Sequence, residues 1–228
     1  MGLSRVFLGA FVTAALLFYV FPELDIRFSM LFYDPAGGFY LADAPICRRI
    51  YELVEIITIA WVVLAVVLLA VLRIRKKNLL GLSARHLIYL LAALAIGPGL
   101  VVNLVFKDNW GRARPYDVRQ FGGTSAFTPA FAISGECHHN CAFVSGHAAM
   151  GFYFIAFGFI GRRRRGFFIL LSAIYGSAVG LVRILQGGHF LSDVVFAFFI
   201  IYAVSAVLYW LLFERNAPHE TLHHHSGL

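Results

Sequence analysis

RILQGGHFLSDVVFAFFIIYAVSAVLYWLLF, residues 183–213, joins a polar tip to a long apolar run, and the reading of that junction decides the fold. From Phe190 to Phe213 only Asp193 is charged, and the run exceeds the roughly 20 residues a helix needs to cross a hydrocarbon core. The polar groups crowd into its first turn, so a buried soluble helix is the poorer reading. Five further apolar runs are found at about 4–22, 53–73, 87–106, 142–161 and 166–186. The fourth is the weakest, because its first turns hold Ser145, Gly146 and His147. Backbone polar groups in lipid must be satisfied within the chain, which makes these runs helices rather than strands. The expected fold is therefore all-α, an integral membrane bundle of six transmembrane helices. Residues 1–215 are expected to form one domain, and 216–228 a polar, disordered cytoplasmic tail.

Composition agrees. The chain is 60% hydrophobic and 14% charged with a mean hydropathy of +0.78, whereas a soluble domain is about a quarter charged. The net charge of +7 does not point to nucleic acid, because the aromatic residues lie inside apolar runs instead of on a basic face. The first run ends in Phe21-Pro22-Glu23-Leu24 without a small-residue cleavage site, so a retained anchor is favoured over a secretory signal. Arg5, the group Arg73, Arg75, Lys76, Lys77 and Arg85, the run Arg162 to Arg165, and Arg215 place both termini and two loops on the cytoplasmic side. Segments 23–52 and 107–141 then face outward. The first reads as an interfacial helix followed by a turn, or as a lid over a lipid entry. The second carries Lys107, Arg112, Arg114 and Arg119, cations on the translocated side that need another task.

Three polar clusters lie at the outer ends of the spans: 107–115, 143–147 and 183–193. His189 and Asp193 are four apart and share one face of a helix. A carboxylate on one ring nitrogen fixes the tautomer and leaves the other nitrogen as a nucleophile or base. Gly187-Gly188 would let a substrate approach His189 closely. Lys107, Arg114 and Arg183 are three fixed cations suited to phosphoryl oxygens. Ser145 and Gly146 offer a hydroxyl and an amide at a helix start. His147 adds a second imidazole, so one histidine can attack phosphorus while the other protonates the departing oxygen. Singly, each is more ordinary: a histidine at a span end is usually an interfacial hydrogen-bonder and a lysine or arginine a headgroup anchor.

With these residues quoted, the chain resembles the type 2 phosphatidic acid phosphatase (PAP2) superfamily, whose pattern is Lys-x6-Arg-Pro, Pro-Ser-Gly-His and Ser-Arg-x5-His-x3-Asp. The matching positions are Lys107 with Arg114-Pro115, Ser145-Gly146-His147, and Arg183, His189 and Asp193. Val144 and Val182 replace the usual Pro and Ser. The resemblance implies a metal-free phosphatase without cofactor, its active site at the outer ends of the helices. His189 would become phosphorylated with Asp193 orienting it, and His147 would serve as acid and then as base. Lys107, Arg114, Arg183, Ser145 and Gly146 would hold the equatorial oxygens.

The segment with Gly122-Gly123, Phe127-Thr128-Pro129 and Cys137-x3-Cys141 looks, more weakly, like bacterial members acting on lipid A. The expected partner is thus a phosphorylated lipid in the bacterial inner membrane, cleaved on the periplasmic face. Phosphatidic acid, phosphatidylglycerol phosphate and undecaprenyl pyrophosphate are the other candidates. Arg112, Arg119 and Trp110 suit either a large anionic headgroup or an interfacial anchor. Cys137 and Cys141 read as a loop disulfide or free thiols ahead of a metal site, and Cys47 as a buried thiol. A phosphotransferase using the same His189 intermediate competes with a hydrolase. A non-catalytic anion-binding membrane protein is less favoured, because no inverted repeat is visible.

Overall fold

The computed structural model describes residues 2–76, 78 and 81–215. Lys77 and the tail 216–228 lie outside the described residues. Eight α-helices follow one another: α1 (Gly2–Val20), α2 (Glu23–Met30), α3 (Pro45–Arg75), α4 (Ala84–Leu94), α5 (Gly146–Phe152), α6 (Ile155–Ile160), α7 (Arg165–Leu185) and α8 (Leu191–Tyr209). Between α2 and α3 a short hairpin pairs Tyr33–Asp34 with Gly38–Phe39. The fold is all-α apart from that hairpin and one isolated bridge between Val118 and Ser125.

Among the described residues, four helices are long and apolar enough to cross a membrane: Pro45–Arg75, Ala84–Lys107, Arg165–Leu185 and Leu191–Glu214. A fifth span arises if α1 and α2, bent by 85°, count as one. The sixth expected run is built differently. It begins at Gly146, breaks at Tyr153 and Phe154, and ends at Ile160. Its position explains the shortness: α5 and α6 pack inside the bundle, with Ala148, Ala149, Phe152, Ile155, Ala156 and Phe159 all buried. In contrast, α3 turns Ile56, Ile59, Val63 and Val67 outward, an apolar surface of the kind that lipid covers.

Local sequence sets the helix boundaries. Ser83 caps α4, its hydroxyl accepting the amide N–H of His86 at 3.4 Å while its own N–H reaches the His86 ring at 3.1 Å. Beyond Leu94 the helix continues in wider π-type turns, Ala95–Lys107, around the internal Pro98, which lacks an amide donor. Gly151 and Gly176 allow α5 and α7 to touch backbone to backbone: a Cβ on Gly151 would sit 2.7 Å from the Gly176 Cα. The core is largely aromatic, with Phe196 and Phe199 of α8 meeting Phe7, Phe11 and Phe18 of α1.

Segment 23–52 begins with the short helix α2, bent 85° from α1, and then turns through the hairpin. Asp25 and Ser29 of α2 are buried, and α3 starts at Pro45, eight residues before the apolar run that announced it. Its first turns are too polar to register as a span, and they project over the ends of α5 and α7.

Candidate functional site

The site forms where α3, the end of the Ala84–Lys107 span, α5, α7 and α8 meet. The turn from α7 to α8 carries His189. Gly187 closes α7 with a positive φ of 70°, and a side chain there would strike the Phe39 ring at 2.4 Å. A Cβ on Gly188 would lie 2.6 Å from an Arg183 guanidinium nitrogen. The glycine pair therefore makes room for Phe39 and Arg183.

His189 is 1% exposed. Its Nδ1 lies 2.8 Å from the Ala142 carbonyl oxygen and 3.5 Å from Asp193 Oδ2. The carbonyl, an acceptor only, thus accepts a hydrogen bond from Nδ1–H, which leaves the lone pair on Nε2. Asp193 acts one step further back than its i,i+4 spacing implied. Its Oδ2 accepts the Phe190 N–H at 2.7 Å, closing the first turn of α8, and its Oδ1 accepts from Arg112. Burial, followed by the charges of Arg114, Lys107 and Arg183, holds the His189 imidazole well below its usual pKa. The resting ring is neutral.

The three cations converge on the same space. Lys107 Nζ donates to Asn140 Oδ1 at 2.9 Å, and Arg114 donates to the Asn140 carbonyl from Nη2 at 2.8 Å and Nε at 3.2 Å. Asn140, at a positive φ of 51°, is a residue that tolerates the left-handed region. It belongs to the loop that the Cys137–Cys141 disulfide closes. Arg183 lies over the Tyr51 ring at 5.1 Å and donates to Gln186 Oε1 at 2.6 Å. Ser145 caps α5, accepting the Ala148 N–H at 3.4 Å, and its own N–H donates to the Asp193 carbonyl at 3.1 Å. A Cβ on Gly146 would sit 3.3 Å from Lys107 Nζ.

His147 is held loosely by comparison. Its ring packs on Tyr51 with centroids 3.9 Å apart, and Nε2, 3.8 Å from Glu55 Oε1, has no hydrogen-bond partner among the described residues. The eight residues singled out in the sequence are thus brought together from three distant stretches.

Several contributors were not legible beforehand. Arg112, read as a headgroup or interface residue, is wholly buried. It donates to Asp193 and Ser192 from Nη1, to Asp25 Oδ2 from Nη2 at 2.7 Å, and to the Thr128 carbonyl from Nε at 2.9 Å. Phe190 covers its guanidinium at 4.4 Å. Asp25 also accepts the Ser192 N–H at 2.8 Å and its hydroxyl at 2.6 Å. A chain of buried polar groups thus runs from α2 to the nucleophile candidate. Arg119 is taken up by its own loop through the Thr124 carbonyl, and the Trp110 indole donates to the Ala130 carbonyl at 2.7 Å. Cys47 is a buried thiol.

Three cations and two histidines thus gather at the ends of helices long and apolar enough to cross a membrane. The chain belongs to the PAP2 superfamily, whose family model matches residues 86–217. It is 36% identical over 212 residues to a lipid A 4'-phosphatase of Francisella tularensis subsp. novicida, covering 89% of this chain and 92% of that protein. Proteins of the same name from Rhizobium etli and Rhizobium leguminosarum are 33% and 32% identical. Those alignments cover 78% and 84% of this chain, and 74% and 88% of the relatives. No solved structure was found to match the chain.

Proposed function

We propose that this protein is a phosphatase of the bacterial inner membrane that removes a phosphomonoester from a membrane lipid through a phosphohistidine on His189, with lipid A the favoured substrate. The observation that carries the reading is the commitment of His189 Nδ1 to the Ala142 carbonyl, with three cations gathered around the ring. Nε2 attacks phosphorus in line. Lys107, Arg114 and Arg183, with the Ser145 hydroxyl and the Gly146 amide, hold the equatorial oxygens as charge spreads over them. His147 gives a proton to the departing alcohol oxygen. It then takes one from the water that attacks the phosphohistidine, and inorganic phosphate leaves with His189 restored. Asp193 and Arg112 keep the ring in place throughout.

The membrane arrangement we infer has six spans, with α5 and α6 together forming the short internal one. Both termini are cytoplasmic and the site faces the periplasm. In support, Arg75, Arg85, Arg165 and Arg215 end or begin the helices at one side of the bundle, while Tyr51, Lys107, Arg183 and Leu191 stand at the opposite helix ends.

The test is phosphate release from purified lipid A, phosphatidic acid, phosphatidylglycerol phosphate and undecaprenyl pyrophosphate, with EDTA present. Lipid A is expected to turn over fastest, and His189→Ala to lower its rate by about 10^4-fold or more. Full activity in that variant would sink the mechanism, and loss in EDTA would sink its metal independence. Phosphate appearing on a second lipid rather than in solution would identify a phosphotransferase.

A further inference from the structure

A cavity of about 340 Å3 lies between the start of α3 and the end of α7, lined by Asp43, Arg48, Tyr51, Glu52, Arg183 and Gln186. It differs in kind from the larger apolar cavity between α2, α7 and α8, whose walls include Phe28, Leu181, Leu191 and Phe198. Two of its residues tie it to the site. Arg183 is one of the three phosphate cations, and Tyr51 is the ring on which His147 packs. In an in-line displacement the leaving oxygen departs opposite the nucleophile and beside the acid that protonates it. The alcohol released by His147 therefore emerges on the Tyr51 side.

We infer that this cavity receives the alcohol portion of the substrate, and that its residues select a sugar ring bearing hydroxyl and amide groups over a glycerol diester. The inference rests on the phosphatase reading above. Asp43 and Glu52 offer carboxylates that accept from hydroxyl and amide donors, and the diacylglycerol portion of phosphatidic acid carries no such donor while its phosphate is attached. The Gln186 carbonyl oxygen is already committed to Arg183 at 2.6 Å, which leaves its NH2 group to donate. Arg48, mostly exposed and 3.2 Å from Glu52, adds a second donor at the rim. Tyr51, already stacked with His147 and lying under Arg183, joins the cavity wall to the site.

The experiment compares kcat and KM of the wild type and of an Asp43→Asn/Glu52→Gln double variant on two substrates in one detergent: lipid A and phosphatidic acid. The wild type is expected to prefer lipid A. In the double variant KM for lipid A rises with kcat little altered, and the preference over phosphatidic acid falls roughly tenfold, the scale of one lost hydrogen bond to a charged group. Equal loss on both substrates would mean that the carboxylates only support the fold, and an unchanged preference would mean that they touch no substrate. Either result overturns the assignment. So does a wild type that cleaves phosphatidic acid without preferring lipid A, which leaves the phosphatase reading intact. A wild type that releases phosphate from neither lipid refutes that reading itself, and this assignment with it.

Discussion

His189 and His147 share one cluster of cations, but the molecule holds them in opposite ways. His189 is locked: its Nδ1 meets a backbone carbonyl, the carboxylate of Asp193 stands behind it, and Arg112 and Asp25 stand behind that. His147 rests on the flat face of Tyr51, with Glu55 at 3.8 Å and Nε2 unpartnered among the described residues. The contrast matches the role proposed for each ring. A nucleophile must present one nitrogen along one line, and small errors of aim are expensive. An acid that later becomes a base must accommodate first a departing alcohol and then a water, so a fixed set of partners would hinder it.

The strongest way to break this comparison is to cut the buried chain behind His189. Arg112→Leu leaves Asp25 and Asp193 facing each other without the charge between them. Removing one member of such a buried set costs about 3–5 kcal/mol, and loss of alignment at His189 adds to the catalytic effect. We expect a lower unfolding midpoint in detergent and turnover reduced at least a hundredfold, the scale that an ångström of misplacement reaches. Wild-type stability with wild-type turnover would show that the chain is incidental to the nucleophile.

A somewhat smaller effect should separate the two rings by chemistry. His147→Ala is expected to lower kcat on a lipid substrate by about 10^2- to 10^4-fold, the range of general acid–base catalysis. On p-nitrophenyl phosphate, whose leaving group needs no proton, the loss in the phosphorylation step should shrink. Single-turnover release of p-nitrophenol measures that step alone. If His147→Ala costs as much there as on the lipid, the ring does more than donate a proton, and the division of labour drawn here is wrong.

The unequal support also explains what could be read in the sequence. Lys107, Arg114, Ser145, Gly146, His147, Arg183, His189 and Asp193 sit at fixed spacings at the ends of apolar runs, and such spacing survives without a structure. The all-α character followed from hydropathy for the same reason. Arg112 did not declare itself, because a lone arginine two residues before Arg114 looks like any interfacial cation. Only the fold shows that Asp25, 87 residues away, waits for it. Asn140 was hidden in the same manner, inside a loop read for its cysteines and histidines. The number of spans blurred where apolar length and burial diverge. The helix containing His147 is short because protein, not lipid, surrounds it, and the first turns of α3 are polar because they roof the site.

The mildest test acts on the locked ring through pH. The folded state holds His189 neutral, with a pKa well below the ordinary 6.5, through burial and then the charges of Arg114, Lys107 and Arg183, opposed by the Ala142 carbonyl. Below pH 6.5 the unfolded chain takes up a proton at this position that the folded chain refuses. Unfolding is then favoured, and the stability present above that pH drains away as pH falls toward the folded value, at up to about 1.4 kcal/mol per pH unit. His189→Gln removes the titrating group and should flatten this part of the profile between pH 7 and 5, read from unfolding midpoints in detergent. The wild-type and variant curves should therefore diverge on the acid side. Parallel curves would mean that His189 titrates as it would in water, and the ring could not then be as dry or as firmly held as its contrast with His147 requires.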